Sequence, residues 1–289
     1  MGSWLDKKGR AVRLLSLLLC VLPIFSTKPA PGAEGDLPGR EPLRPIAVRA
    51  EKEPAASPKP NPGGGGLSDF IEFFPRHLLK GARESFSLKN LVILALAGAE
   101  TGALLTADDD IREYFREERP IGRTAEDAGT TLGSPEVLFG LAGATFLLGE
   151  ITKSPRIRAQ GETALESLAI VGTVTALLKV TTQRERPDGS NSLSFPSLHA
   201  AGSFAAAASL YETYGLRVSI PAFLTATFTS VARVQEDKHF LSDTIFGGVL
   251  GTIVGLAVGK LHKAKNGWGV LVVPHVKGDE YGMRLSFRF

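Results

Sequence analysis

Between residues 88 and 262 apolar stretches of helix length alternate with short polar breaks rich in Ser, Asp, Gly and Pro. Six such stretches stand out, at about 88–107, 134–151, 161–181, 199–214, 217–234 and 242–262. None shows the period-2 alternation of a half-buried strand, so the region 88–264 predicts an all-α bundle of six helices. Upstream, "LSDFIEFFPRHLLKGARESF" predicts short amphipathic helices over 67–87 that lie on a surface and are interrupted at Pro75. Downstream the period changes. Met283, Leu285, Phe287 and Phe289 alternate with polar residues after a Gly-Asp turn, which predicts a small C-terminal β-hairpin over 265–289. An alternating strand that ends in Phe is also an outer-membrane pattern, but one hairpin does not close a barrel.

The amino terminus carries a different signal. Lys7, Lys8, Arg10 and Arg13 precede an apolar run from Leu14 to Phe25. A basic start followed by about a dozen apolar residues reads as a signal peptide over 1–26, with an uncleaved anchor as the alternative. The run is short for a spanning helix, which needs about 20 residues. Leu19 before Cys20 is a poor lipoprotein cleavage signal. Residues 27–66 are rich in Pro, Gly and charge and close on "NPGGGG". Such a segment buries too little apolar area to offset its ordering entropy, so it reads as a disordered linker.

Composition narrows the classes. The 289 residues carry a net charge of +3 and a pI near 9.0, with no dense Lys/Arg tract, so a nucleic-acid partner is not indicated. Cys20 is the only cysteine, which excludes an internal disulfide framework. Asp108, Asp109 and Asp110 are consecutive and do not converge on one point. They read as a helix end and solvated turn rather than a metal site.

Three short stretches break the apolar text. In "KVTTQRERPDG", Lys179 closes one predicted helix and Arg186 stands just before Pro187, which biases it out of helical geometry. One cation on a helix end and another on the loop beyond suit a tetrahedral anion, and the Arg fork serves two oxygens. In "SFPSLHAAGS", Ser197, Leu198 and His199 open a helix, where free N–H groups and the helix dipole favour anions. His199 would lie near enough to the same anion to exchange a proton. In "ARVQEDKHFLSD", His239 and Asp243 are four apart and on a helix would share a face, with Arg233 six residues upstream of the histidine. A carboxylate on one ring nitrogen leaves the other free to attack. Each stretch alone has an ordinary reading: a solvated cation, a helix-capping histidine, a surface His–Asp pair.

Together they form K-x6-R-P, P-S-x-H and R-x5-H-x3-D in order, each at a helix boundary. In this the chain resembles the type 2 phosphatidic acid phosphatase and vanadium haloperoxidase superfamily over about residues 88–262. The resemblance implies that Lys179, Arg186, Ser197, Arg233 and the Leu198 backbone amide hold phosphoryl oxygens. It implies His239 as nucleophile through a phosphohistidine, Asp243 as its orienting carboxylate, and His199 as the acid that protonates the leaving alcohol. No metal and no cofactor enter this chemistry, and preorganised charge does the work. The implied substrate is a phosphorylated lipid, such as phosphatidate or polyprenyl diphosphate, or a small phosphate ester. A lipid phosphotransferase is the alternative; a vanadate-dependent haloperoxidase and an inactive binding protein are the remaining ones.

Two departures from the family pattern matter. Leu198 stands where the family carries glycine in PSGH, so its side chain must turn away from the anion. Ala232 stands where a serine is frequent. Arg184 is an additional cation that reads as a solvated loop residue or a headgroup contact. For location, Glu100, Glu150, Glu166 and Glu212 fall inside the apolar stretches, and charges in spans are costly. A signal peptide places Leu67 outside, and six further crossings would then turn the motifs toward the cytoplasm and the basic loop "TKSPRIR" (152–158) outward. That opposes the positive-inside rule. An exported, periplasmic bundle on the membrane surface removes the conflict. A six-span integral membrane protein is the alternative.

Overall fold

The computed structural model describes residues 67–266, 269–277 and 280–288. The expected leader over 1–26 and linker over 27–66 lie outside the described residues. Nine helices are present among the described residues: α1 (Leu67–Ser85), α2 (Leu88–Leu104), α3 (Asp108–Glu118), α4 (Arg123–Leu132), α5 (Pro135–Ile151), α6 (Pro155–Thr182), α7 (Leu198–Tyr214), α8 (Leu216–Gln235) and α9 (Leu241–Asn266). Two strands follow, β1 (Gly269–Lys277) and β2 (Glu280–Arg288), paired antiparallel with Gly269 opposite Arg288 and Lys277 opposite Glu280.

All six apolar stretches are helices; α1 precedes them, and the short helices α3 and α4 lie between the first and the second. The starts of α5 and α6 show why. Ser134 and Ser154 cap them, accepting from the amides of Val137 (3.3 Å) and Ile157 (3.5 Å), and Pro135 and Pro155 take the first helical position. Proline lacks an amide that would be unpaired there anyway. The proline start sets α6 six residues earlier than its apolar stretch indicated.

Two expectations are corrected. Residues 67–85 form one helix with Pro75 inside it, not separate pieces. Proline removes one backbone bond and crowds the preceding turn, which bends a helix without ending it when tertiary contacts hold it. Those contacts exist: Leu78 and Ala82 pack on the central core, and Gly81 lies against Val258 and Ile170. The helix therefore has one face in the bundle. The charged connector after α2 is likewise a helix, α3, not a solvated turn. Asp108, Ile111 and Phe115 fall on its buried face at helical spacing.

The centre is the contact of α7 with α9. Ile170, Val171, Ala201, Ala205, Leu250, Val254 and Val258 make one buried cluster there. The two backbones are in direct contact. A Cβ added to Gly251 would sit 2.0 Å from the Ala201 carbonyl oxygen, and one on Gly255 2.4 Å from that of Ala205. Small residues on both helices permit this approach. The perimeter is the reverse. Leu88, Leu91, Val92, Leu96, Phe139, Leu141, Leu147, Ile151, Leu177, Val180, Val218 and Leu224 are exposed, spread over α2, α5, α6 and α8. By length and composition α6 and the Leu241–His262 part of α9 can each cross a membrane. The bent pairs Phe74–Ser85 with α2 (62°) and α4 with α5 (51°) would add two crossings. An apolar belt of this extent marks a membrane-associated bundle.

Candidate active site

The chain reverses between α6 and α7 and again between α8 and α9, so the last turn of α6 and α8 and the first turn of α7 and α9 meet at one end. Backbone bonds lock the loops together: Ser197 N–H donates to the Asp243 carbonyl (3.1 Å) and Asp188 N–H to the Asp237 carbonyl (3.1 Å). Arg112 grips Asp237 with two bonds (2.7 and 2.9 Å), and Lys238 holds Asp188 at 2.5 Å. The three sequence stretches are thus neighbours.

Each residue singled out from the sequence can be placed. Lys179, on the last turn of α6, donates through Nζ to the carbonyls of Leu193 and Ser194. Arg186 lies on the loop, and its Nε donates to Asn191 Oδ1 (3.0 Å). Arg233, on the last turn of α8 and buried, bonds Glu236 through Nη1, while its Nε is buried without a partner. Ser197 is fully buried and caps α7, accepting from the Ala200 amide (3.5 Å). A hydroxyl that accepts one bond can still donate. Leu198 turns its side chain onto the central apolar cluster. That leaves its amide, with that of His199, among the helix-start N–H groups that have no partner within the helix.

His239 and Asp243 do not share a helical face as expected. His239 precedes α9, and Asp243 sits in its first turn. Asp243 reaches back to accept from the Phe240 amide (3.0 Å), the capping-box geometry. It is fully buried and also accepts from Arg184 Nη1 (2.5 Å) and Ser194 Oγ (2.5 Å). His239 Nδ1 stands 3.6 Å from Asp243 Oδ2, beyond a hydrogen bond, and is buried without a partner. The attraction between them is electrostatic at that distance.

The electrostatics tie the cup together. Burial, then Arg233, then His239, Arg186 and Lys179 push the His199 pKa down to about 3. Burial pushes His239 down to about 4 against the pull of Asp243, with Lys179 and Arg233 adding to the fall. Both imidazoles are therefore neutral at pH 7. A neutral His239 has a lone pair to give. His199 becomes an acid only when an anion offsets the surrounding positive charge.

Sequence reasoning missed the support beneath this cup. Arg184 is not a solvated loop residue. Its guanidinium bridges Asp243 and Asp108 (2.5 and 2.8 Å), bonds Ser242 Oγ (2.7 Å) and lies 4.1 Å over the Phe240 ring. Asp108, buried, accepts from the Ser242 amide (3.1 Å) at the start of α9 and bonds its hydroxyl. The spacing of Asp108 with Ile111 and Phe115 was the available signal.

Residues 163–266, which contain all three stretches, match a family model described as the PAP2 superfamily, so the resemblance read from the motifs is borne out over that segment. The lipid A 1-phosphatase of Porphyromonas gingivalis is 34% identical over 91 residues, 30% of this chain and 20% of that protein. The matched stretch thus spans about a fifth of the length of that curated relative. A transmembrane PAP2-type phosphatidylglycerolphosphate phosphatase of Bacillus subtilis is structurally similar, with a TM-score of 0.48 and 22% identity, over 66% of this chain and 97% of that one.

Proposed function

We propose, taking residues 163–266 as a PAP2-superfamily segment, that this chain is a metal-independent phosphatase that removes a phosphoryl group from a phosphorylated lipid. The observation that carries the reading is the meeting of three distant stretches at one end of the bundle, with Lys179 Nζ on the Ser194 carbonyl, the Ser197 amide on the Asp243 carbonyl and the Asp188 amide on the Asp237 carbonyl. Two histidines among three cations, beside unpaired helix-start amides, suit a tetrahedral oxyanion between two nitrogen bases.

The steps balance as follows. His239 attacks phosphorus through the ring nitrogen turned from Asp243, and the bond from phosphorus to the lipid oxygen breaks. His199, protonated as the bound anion offsets the cations, gives its proton to that oxygen. Neutral His199 then takes a proton from water as the water oxygen attacks the phosphohistidine, releasing phosphate and restoring His239. Lys179, Arg186 and Arg233, with Ser197 and the Leu198 amide, meet the charge on the equatorial oxygens. Asp243 stabilises the cationic ring that forms on His239, and Arg184 keeps Asp243 ionised and in place.

The lipid preference rests on the exposed apolar belt, which brings the cup to a membrane surface. The relative named as a lipid A 1-phosphatase extends the candidates to phosphorylated glycolipids, beside phosphatidate and polyprenyl diphosphate. Our reading keeps the leader over 1–26 and the linker over 27–66 as export signal and tether, with the cup on the exported side. The test is phosphate release from these three lipids and from a soluble aryl phosphate, by wild type and His239→Ala. Release from at least one lipid, abolished by the substitution, is expected. Equal turnover in the variant would overturn the mechanism. Release from the soluble ester alone would overturn the lipid assignment.

A further inference from the structure

The last helix ends on a second histidine–carboxylate cluster that the proposed reaction does not use. His77 of α1, Glu166 of α6 and His262 of α9 turn their polar atoms toward one another from three different helices. His77 Nδ1 is 3.5 Å from Glu166 Oε1, and His262 Nε2 is 3.0 Å from Glu166 Oε2. The candidate ligand atoms all lie within 4.8 Å of one another. The two rings stand nearly perpendicular (86°), with centroids 5.8 Å apart. Glu166 and His262 are buried, and His77 is partly exposed. Glu166 precedes Lys179 by 13 residues on one helix, so the cluster is about 20 Å along the bundle from the cup.

We propose that His77, Glu166 and His262 form a structural site for a divalent transition metal ion of the zinc class, pinning α1 to the bundle. Two imidazole nitrogens and one carboxylate oxygen are the donor set such ions take, with water in the fourth position. A tetrahedral ion with bonds of about 2.0–2.1 Å needs its ligand atoms about 3.3 Å apart. The 3.0 and 3.5 Å separations run to different oxygens of Glu166 and the candidate ligand atoms lie within 4.8 Å of one another, so a bound ion would draw the two imidazoles inward onto one oxygen. The surroundings fit as well. His262 presents its other nitrogen, Nδ1, to Glu162 Oε2 at 3.7 Å, and Arg158 holds Glu162 (3.0 Å). At 3.7 Å this contact is longer than a hydrogen bond; drawn closer as the ion binds, a carboxylate behind a ligating histidine fixes its tautomer and strengthens it as a donor. The proposal does not depend on the phosphatase reading.

The test uses the full-length protein, without a polyhistidine tag, in detergent. It is loaded with Zn2+ and dialysed extensively against metal-free buffer, and its metal content is measured. About one zinc per chain is expected in wild type and in His275→Ala. Less than about a fifth of that is expected in His262→Ala and in the isosteric Glu166→Gln. Co2+ loading should give the visible absorption of a tetrahedral ion, lost in Glu166→Gln. Chelation of wild type should lower the unfolding temperature by about 4 °C or more. Wild type that keeps no zinc, or the same zinc content in Glu166→Gln as in wild type, overturns the site. If His262→Ala fails to fold, Glu166→Gln and chelation of wild type decide it. Phosphate release is measured separately, so the fate of the catalytic reading does not enter.

Discussion

Two histidine–carboxylate pairs flank the last helix of the bundle, built from the same groups and set to opposite ends. At the cup, His239 stands 3.6 Å from Asp243; at the far end, His262 stands 3.0 Å from Glu166. The difference lies in what else satisfies the carboxylate. Asp243 already accepts from Arg184, Ser194 and the Phe240 amide, so it is a fixed negative charge and His239 is left free to react. Glu166 lies between two imidazoles and draws both toward itself. A His–carboxylate pair in a sequence does not declare which of these it is. The partners of the carboxylate decide.

The largest expected effect separates the pairs directly. His239→Ala should lower turnover by about six orders of magnitude, the scale of losing a nucleophile, with little change in unfolding temperature. His262→Ala should act first on stability. Phosphate release and thermal unfolding, measured on both variants, read the contrast. Equal loss of turnover in the two would erase it.

Arg184→Ala attacks the reason for the contrast. It leaves two buried carboxylates, Asp108 and Asp243, without their shared cation. Breaking such a pair costs about 3 kcal/mol. Asp243 would swing toward His239, and a misplacement of that size costs about a hundredfold in kcat. KM should change by less than about threefold, because Arg184 is directed beneath the cup rather than into it. Arg184→Lys should recover part of the stability and less of the rate, since an ammonium cannot bridge both carboxylates with the same fork. A change confined to KM would show instead that Arg184 touches substrate.

How much of this was legible in the sequence divides along the same line. The apolar stretches were of helix length and bounded by polar breaks, so the helices could be read, and the motifs brought Lys179, His199, Arg233, His239 and Asp243 forward in order. The supporting residues were hidden for a physical reason. Arg184 and Asp108 are 76 positions apart and look like surface charges until both are seen against Asp243. Asp108 stood at the head of a charged run whose inward face, with Ile111 and Phe115, was masked by Asp109 and Asp110 outside. His77, Glu166 and His262 belong to no motif at all. Only the packing of three helices makes them neighbours.

A smaller effect follows from pH. His199 and His239 titrate near 3 and 4 in the folded chain, below the ordinary value of about 6.5 for an unfolded histidine. Between about 6.5 and 4 the unfolded chain binds protons that the folded chain refuses, so stability is full above about 6.5 and falls as pH drops through that window. Thermal unfolding at pH 7.5 and pH 5 should show the loss, and His199→Gln should reduce it. Inorganic phosphate should restore more at pH 5 than at pH 7.5, because a protonated His199 strengthens the grip on the anion. An unfolding temperature that does not move between the two pH values would show that burial and the neighbouring cations do not hold these histidines neutral.

The smallest effect is expected at Leu198, where the family pattern has glycine. The side chain packs against the central buried cluster, and the backbone amides at the helix start are the groups proposed to meet phosphate. Leu198→Gly therefore removes apolar contact and adds backbone freedom, at a cost of about 1–2 kcal/mol, or roughly 3–6 °C in unfolding temperature. The amide at 198 survives the change, so turnover should stay within about threefold of wild type. The share of phosphoryl groups passed to added glycerol rather than water should not move. A tenfold rise in phosphate release would mean that the leucine side chain narrows the entrance to the cup. A shift from glycerol to water would mean that it shapes the acceptor site, and the chain would then be read as a phosphotransferase.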